Sequence, residues 1–294
     1  MVETRPSPYT LLLGVAQDGG YPQAGCRAAC CAPAWAEPER RGRAVSLGIA
    51  DPLTGERWSI DASPDLPTQL RDLDESLGTD ASMPVLSGVL LTHGHIGHYT
   101  GLMYLGRESM GARNLPVYGM SRMLRFLQDH GPWEQLCDLQ NIALQPLDNG
   151  QTIALNDRIR VRPFLVPHRG EYTETVGMVV SGPTRKVLYL PDIDQWDRNP
   201  SPIEALLEEV DCAYIDGTFF DWNELPHRNR EEIPHPMVVD SLKRFAGLNS
   251  KVRARIHFFH FNHSNPLWHP DSDARKRVQK AGMKWAQRGM KEAL

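Results

Sequence analysis

Three observations predict an α/β (α+β) fold, layered as an αββα sandwich of two mixed sheets flanked by helices. Short strand-like apolar runs recur along the whole chain, segments of helical periodicity lie between them, and histidine-bearing turns follow directly on several strands. In chain order, strands are expected at Leu11 to Val15, Ser46 to Ala50, Arg57 to Ile60, Val89 to Leu91 and Leu115 to Tyr118. The second half adds Ile159 to Val166, Val176 to Val180, Val187 to Leu190, Cys212 to Ile215 and Ile256 to Phe259. Helical spacing is clearest in Leu66 to Leu77, Ser121 to His130, Pro202 to Val210 and Pro236 to Phe245. Near the end, Ala274, Val278, Ala281 and Trp285 form an apolar stripe, with Arg275, Lys276, Arg277, Lys280, Lys284 and Lys291 as its expected solvated face.

Composition suits a globular enzyme. No Gly/Ser linker, charge block or internal repeat divides the chain, so residues 1–294 are expected to form one domain. The 32 basic and 36 acidic side chains give a net charge of −4, which removes any electrostatic case for nucleic acid as an obligatory partner. No apolar stretch approaches the roughly 18 residues a membrane helix needs, and the start, Met1 to Pro8, carries acid and proline. The expectation is a cytoplasmic protein without membrane contact, acting on a small molecule or short peptide, with a homodimer left open. Five cysteines, three of them in Cys26-Arg27-Ala28-Ala29-Cys30-Cys31, are odd in number and too crowded for a disulfide framework. Thiolates clustered this way bind metal in a reducing compartment, although a loop with incidental thiols would look the same. Cys137 and Cys212 sit in apolar surroundings and read as core residues.

The segment His93-Gly94-His95-Ile96-Gly97-His98 follows the apolar run Val85 to Thr92 and puts three imidazoles at the end of one strand. Neutral imidazole is the commonest nitrogen ligand for zinc and suits iron as well. With its continuation Tyr99-Thr100-Gly101-Leu102, the segment resembles the His-x-His-x-Asp-His signature of the metallo-β-lactamase superfamily. Gly97 stands where that signature has an aspartate, a ligand of the second metal.

The resemblance implies three further ligands, each after a strand, in the order His, Asp, His. Ile159 to Pro167 leads into His168, Lys186 to Pro191 into Asp192, and Ile256 to Phe259 into His260, with His257 and His263 as competitors for the last place. It also implies that His93, His95 and His168 hold one metal and that Asp192 bridges to a second held by His98 and His260. Asp61 occupies the place of the superfamily's first acidic motif, which implies that it braces the metal loop; a plain strand-to-turn aspartate is the alternative.

Leu11 to Gln23, with its Gly-Gly-x-Pro-Gln ending, resembles the opening of the pyrroloquinoline quinone biosynthesis protein B family, where such a segment precedes a cysteine cluster. The likeness continues in Pro116-Val117-Tyr118, Leu190-Pro191-Asp192, Asp216 to Glu224 and Phe259 to Pro266, and so spans nearly the whole chain. Two departures stand out. That family often replaces early histidines of the metal motif, which are kept here, and its cysteines are usually spaced Cys-x-Cys-x-x-Cys. A related phosphodiesterase of phosphonate breakdown completes its cysteine zinc site with a histidine three residues after the last catalytic one. His260-Phe261-Asn262-His263 has that spacing, which implies a structural Zn2+ on Cys26, Cys30, Cys31 and His263.

Hydrolysis of an ester, amide or phosphoester by a metal centre that activates water is therefore the leading expectation. Asp192 or Asp194 would accept a proton, the catalytic ion being Zn2+ with Fe2+ as the alternative. The family resemblance implies a second reading, iron-dependent oxidation in quinone cofactor biosynthesis, and the loss of an aspartate at Gly97 a third, a metal carrier without turnover. Restoring that carboxylate by Gly97→Asp is expected to raise occupancy of the second metal position, unless glycine is there for a positive φ. Substrate contacts are expected from Asp216, Thr218, Asp221 and Glu224, with His227 and His235 beyond them. Arg169 and Tyr172 are candidates beside His168; exposed loops with ordinary polar residues would explain all of these equally.

Overall fold

The computed structural model describes residues 6–78, 85–199, 202–225, 229 and 233–294. Among the described residues fourteen strands form two sheets. In the first, β1 (Tyr9–Gly14), β2 (Ser46–Ala50), β3 (Arg57–Ile60), β4 (Gly88–Leu90), β5 (Leu115–Gly119) and β6 (Ile142–Pro146) lie in sequence order, and β14 (Lys291–Ala293) closes the β1 edge. In the second, the order runs backwards along the chain from β13 (Lys284–Trp285) through β12 (Ile256–Phe259), β11 (Cys212–Asp216), β10 (Lys186–Leu190), β9 (Val176–Ser181) and β8 (Arg160–Leu165) to β7 (Ile153–Ala154).

Both sheets are mixed because hairpins and crossovers alternate with sequence spacing. β2 and β3, joined by a short turn, pair antiparallel, as do β1 and β2 across the long loop that carries the cysteines, whereas β3 to β6, separated by helices, pair parallel. The same logic makes β7 to β10 antiparallel and β10 to β13 parallel. Leu12, Leu47, Ile49, Ile60 and Leu90 of one sheet face Val161, Val180, Val187 and Tyr189 of the other as the filling of the sandwich, and the same buried cluster continues through Leu188 and Ile215 on the outer face of the second sheet. Helices cover the outer faces. Leu66–Leu77 packs on β1 and β2, Ser121–Asp129 and Trp133–Asp138 on β6, and Ile203–Glu209 on β10. The expected αββα layering is what the chain adopts. Among the described residues no helix is long and apolar enough to cross a membrane.

One expected element is corrected. The stripe ending in Trp285 is not one helix: Asp273–Lys280 stops before Gly282, whose φ of +77° suits glycine, and Trp285 lies in β13 opposite Phe258. Nor do its basic residues form one solvated face. The Arg275 guanidinium lies 4.9 Å from the Trp285 ring centre and donates to the Leu267 carbonyl, Arg277 lies 5.1 Å from the Phe220 ring, and Lys291 lies over Tyr9. Strands β7, β13 and β14 are only two or three residues long and β6 runs into Pro146, so none stands out from a loop in sequence, and pairing rather than propensity forms them.

Leu188 is fully buried at the centre of β10, between β9 and β11. Leu188→Ala is expected to cost about 2–5 kcal/mol, read by urea denaturation; a loss below about 1 kcal/mol would show that the helix layer does not pack tightly on the second sheet at this point.

Candidate metal centre

The strand ends bring the expected residues to one rim of the sandwich. Asp61 follows β3, His93 to His98 follow β4, His168 follows β8, Asp192 follows β10, Asp216 ends β11 and His260 follows β12. Two of these residues have left-handed backbone, Asp61 at φ 65° and His260 at φ 62°, a conformation that costs a residue with a Cβ of order 1–3 kcal/mol. Both side chains are fully buried and point back into the site.

Among the described residues four overlapping groups of facing ligand atoms result at this rim, two that share no residue and two that include Asp192, one with His93 and His98 and one with His168 and His235. His93 Nε2 lies 2.9 Å from His95 Nδ1, which lies 3.3 Å from His168 Nε2, and the three atoms fall within 4.8 Å of one another. Tetrahedral nitrogens 2.0–2.1 Å from zinc stand about 3.3 Å apart, so the group has the dimensions of an ion site. The second group joins His98 Nε2 and His260 Nε2 with a carboxylate absent from the sequence expectations, Asp18, in the loop after β1. Asp192 lies between them. Its Oδ2 is 3.2 Å from His98 Nε2 and 3.1 Å from His260 Nε2, while Oδ1 is 3.5 Å from His168 Nε2.

Four atoms test whether these groups suit a cation. Asp18 Oδ1, His98 Nε2, Asp192 Oδ2 and His260 Nε2 are buried and none has a hydrogen-bond partner, although they face one another at little more than 3 Å. Buried polar atoms left this way cost stability, and convergent lone pairs without hydrogen bonds are what a metal ion satisfies. The donor set fits. The far side of each ring is held: His98 Nδ1 lies 2.8 Å from Asp61 Oδ2, His260 Nδ1 2.9 Å from Thr218 Oγ1, and His168 Nδ1 3.2 Å from Asp194 Oδ1. Such partners orient an imidazole and raise its basicity as a ligand. Asp61 also accepts from Thr92 N–H and from the Tyr189 hydroxyl, so it braces the loop as the motif implied.

Electrostatics agree. Burial, with His98 nearby, pushes His93 well below its ordinary value, and burial also lowers His95 and His260, which keeps their lone pairs available at neutral pH. Burial opposes a charge on Asp192 as well, yet His260, His98 and His93 hold its carboxyl well below the usual range. His98 is raised despite burial because Asp61, Asp18 and Asp192 surround it, so positive charge is favoured at this point.

A separate group forms nearby. Cys26 Sγ is 3.8 Å from Cys30 Sγ, and His263 Nδ1 is 3.5 Å from Cys30 Sγ and 3.4 Å from Cys31 Sγ. Sulfurs 2.3 Å from a tetrahedral zinc stand about 3.8 Å apart. Adjacent Cys30 and Cys31 both reach the point with no left-handed backbone at either. Tyr21 stacks on Trp268 at 4.4 Å and donates to the Cys30 carbonyl, which fastens the cysteine loop to the segment after β12. His257, the remaining competitor, lies away from both groups beside Cys212 and the Arg255 carbonyl.

The other expected residues divide. Asp194 sits behind His168, where it orients the ring and does not face the reacting centre, so the structure corrects its expected role as proton acceptor. Asp216 is fully buried; it takes the N–H of His235 Nδ1 at 2.7 Å and the Thr218 hydroxyl at 2.8 Å, and so positions those residues instead of meeting substrate. Asp221 caps the short helix Trp222–Glu224 by accepting from Asn223 N–H, and Glu224 completes that capping box, which takes both from the expected contacts. His235, Thr218 and Arg169 do line one cavity of about 300 Å³ beside the centre, with Phe219 and Asn262. Tyr172 is largely exposed against Phe126, and His227 lies outside the described residues.

Fold and site together define a metallo-β-lactamase-type protein. A family profile described as "Beta-lactamase superfamily domain" matches residues 56–261, and the chain belongs to that family. Over nearly its whole length it is similar to proteins called coenzyme PQQ synthesis protein B: 29% identical to that of Methylococcus capsulatus over 96% of this chain and 99% of the relative, and 27% to that of Xanthomonas axonopodis pv. citri over 97% and 99%. Zn(2+)-bound PqqB from Methylobacterium extorquens shares the fold with a TM-score of 0.82 at 22% identity, over 97% of this chain and 100% of that one. A diphosphatase of the PhnP family shares it with a TM-score of 0.69 at 21% identity, over 98% of each chain.

Burial pushes the Cys31 thiol up to about 12 and raises Cys30 too, so both hold protons at neutral pH that a metal must displace. Cys26→Ser is expected to lower zinc content and melting temperature together, and zinc uptake by the intact site to release at least these two protons, measured with a pH indicator. Unchanged zinc content and melting would refute a structural ion. Asp61→Ala removes the carboxylate behind His98 and is expected to weaken metal binding in the histidine centre about 10–100-fold, measured by competition with a chromophoric chelator.

Proposed function

We propose that the protein is a metal-dependent hydrolase with a two-ion centre, acting on an ester, amide or, favoured by its pocket, a phosphoester. The carrying observation is Asp192, whose two oxygens face two separate histidine groups. His93, His95 and His168 would hold one ion, His98 and His260 the other, with Asp192 between. When bound, such an ion pair lowers the pKa of water and polarises a phosphoryl or carbonyl oxygen.

The chain's own part is binding and proton transfer. Arg169 is half exposed on the rim of the cavity beside His235, which suits an anionic group. His235 Nε2 faces the centre, 3.9 Å from Asp192 Oδ1, while Asp216 holds its other nitrogen. Burial works against a charge on His235, but the Asp216 carboxylate outweighs it and pushes the ring up to about 9, so it carries a proton at neutral pH. It is placed to give that proton to the departing oxygen and regain one from solvent, while water's oxygen joins the phosphorus or carbonyl carbon.

A second reading is a step of pyrroloquinoline quinone biosynthesis, which the family resemblance implies is an iron-dependent oxidation; similarity over 97% of the chain to relatives named for that synthesis supports the biosynthetic part. Metal content separates the two. Zinc after anaerobic purification, with hydrolysis of bis(p-nitrophenyl) phosphate, supports the hydrolase. Iron with oxygen consumption and no hydrolysis overturns it, and bound metal with neither activity points to a carrier. Within the hydrolase reading, His235→Asn is expected to lower kcat about 10²–10⁴-fold for an alkyl leaving group and far less for p-nitrophenolate, which departs without a proton; equal losses on both would remove His235 as the donor.

A further inference from the structure

We infer that Asp18 is a ligand of the second metal position, a carboxylate delivered from the loop after β1 into the space left by the glycine of the histidine motif. This rests on the two-ion reading above. A Cβ on Gly97 would meet Asp18 Oδ1 at 2.2 Å, its Cα at 2.6 Å and its Cγ at 2.9 Å. The Asp18 side chain therefore fills the volume in which a side chain at position 97 would begin, and its backbone passes too close for any Cβ there. No positive φ is involved at Gly97. The expectation that Gly97→Asp would add a ligand is thus corrected: the new side chain would collide with the residue that already takes its place.

The placement of Asp18 is held from several sides. Gln17 N–H donates to the Phe261 carbonyl and Gly20 N–H to the Gln17 carbonyl, which tie the loop to the residue after His260. Gln17 Nε2 donates to Asp18 Oδ2 at 3.2 Å, leaving Oδ1 to face His98 Nε2 at 3.2 Å. Oδ1 is buried without a hydrogen-bond partner, as are the His98 and His260 nitrogens beside it.

A simple ion pair with protonated His98 does not account for this. His98 already has Asp61 on Nδ1 at 2.8 Å and Asp192 at 3.2 Å from Nε2. Three carboxylates around one imidazolium leave two negative charges uncompensated in a buried place, which is costly unless a cation sits among them. A divalent ion held by Asp18, Asp192, His260 and a neutral His98 brings two positive charges in place of the imidazolium's one and so halves that excess.

The test is metal titration of chelator-stripped full-length protein with Zn2+ and Co2+, following stoichiometry and the cobalt visible spectrum. The wild-type chain is expected to take two ions in the histidine centre besides the cysteine ion. Asp18→Asn should lose one of these or bind it at least about 10-fold more weakly, while Asp18→Glu, which keeps the charge, retains it. Melting of the stripped proteins separates an altered ligand from a damaged fold. If the Asn and Glu variants bind alike, the charge at position 18 is irrelevant and the assignment of Asp18 fails while the two-ion reading stands. If the wild-type centre takes only one ion, both fail together. Gly97→Asp should lower occupancy or stability, and a gain in occupancy would overturn the assignment.

Discussion

The buried charge of Asp192 is the constraint on which the site depends. A carboxylate 3% exposed is tolerable only if its surroundings are cationic or donate hydrogen bonds, and no hydrogen bond reaches its Oδ2. Imidazoles from three separate strand ends answer that demand, and each is held in turn by Asp61, Thr218 or Asp194 or by a neighbour in the motif loop. The strained backbone at Asp61 and His260 follows from the same need. Two side chains must turn inward where an ordinary strand exit would carry them outward.

The sandwich supplies what the charge requires. Parallel strands β3 to β5 and β10 to β12 end at one rim, so short loops after them converge without long excursions. Packing of two sheets on one apolar filling fixes the distance between the loops of β4 and those of β10 and β12, and with it the separation of the two histidine groups. Asp194 N–H bonded to the Pro167 carbonyl, and Ile193 N–H to Asp216, lock the Asp192 loop to its neighbours.

Much of this was legible in the sequence because strand, turn and ligand occur as contiguous units. A histidine right after an apolar run needs no tertiary knowledge to be read as a rim residue, and the order His, Asp, His downstream came from a motif. Asp18 was not legible, because nothing local marks it. It lies in a Gly-rich turn, before the segment matched by the family profile, and only the close approach of its backbone to Gly97 gives it a role. Asp194, Asp216 and Asp221 were misjudged for a related reason. An acid in a loop can face substrate, another side chain or a helix end, and sequence does not say which. Trp285 was lost to a different effect, since a single glycine turns a helical stripe into a strand.

The joining of the N-terminal loop to the segment after β12 has a consequence for how the protein is made. Asp18 and the three cysteines leave the ribosome more than 200 residues before His260 and His263, which complete the two candidate sites. Any ion bound early by the cysteines alone would be held in an open, exchangeable shell, and the rim beside Gly97 could close only after almost every other strand had found its neighbour. Assembly of this centre is therefore a late event of high contact order, and it makes loaded metal a report on whether the whole chain has folded correctly.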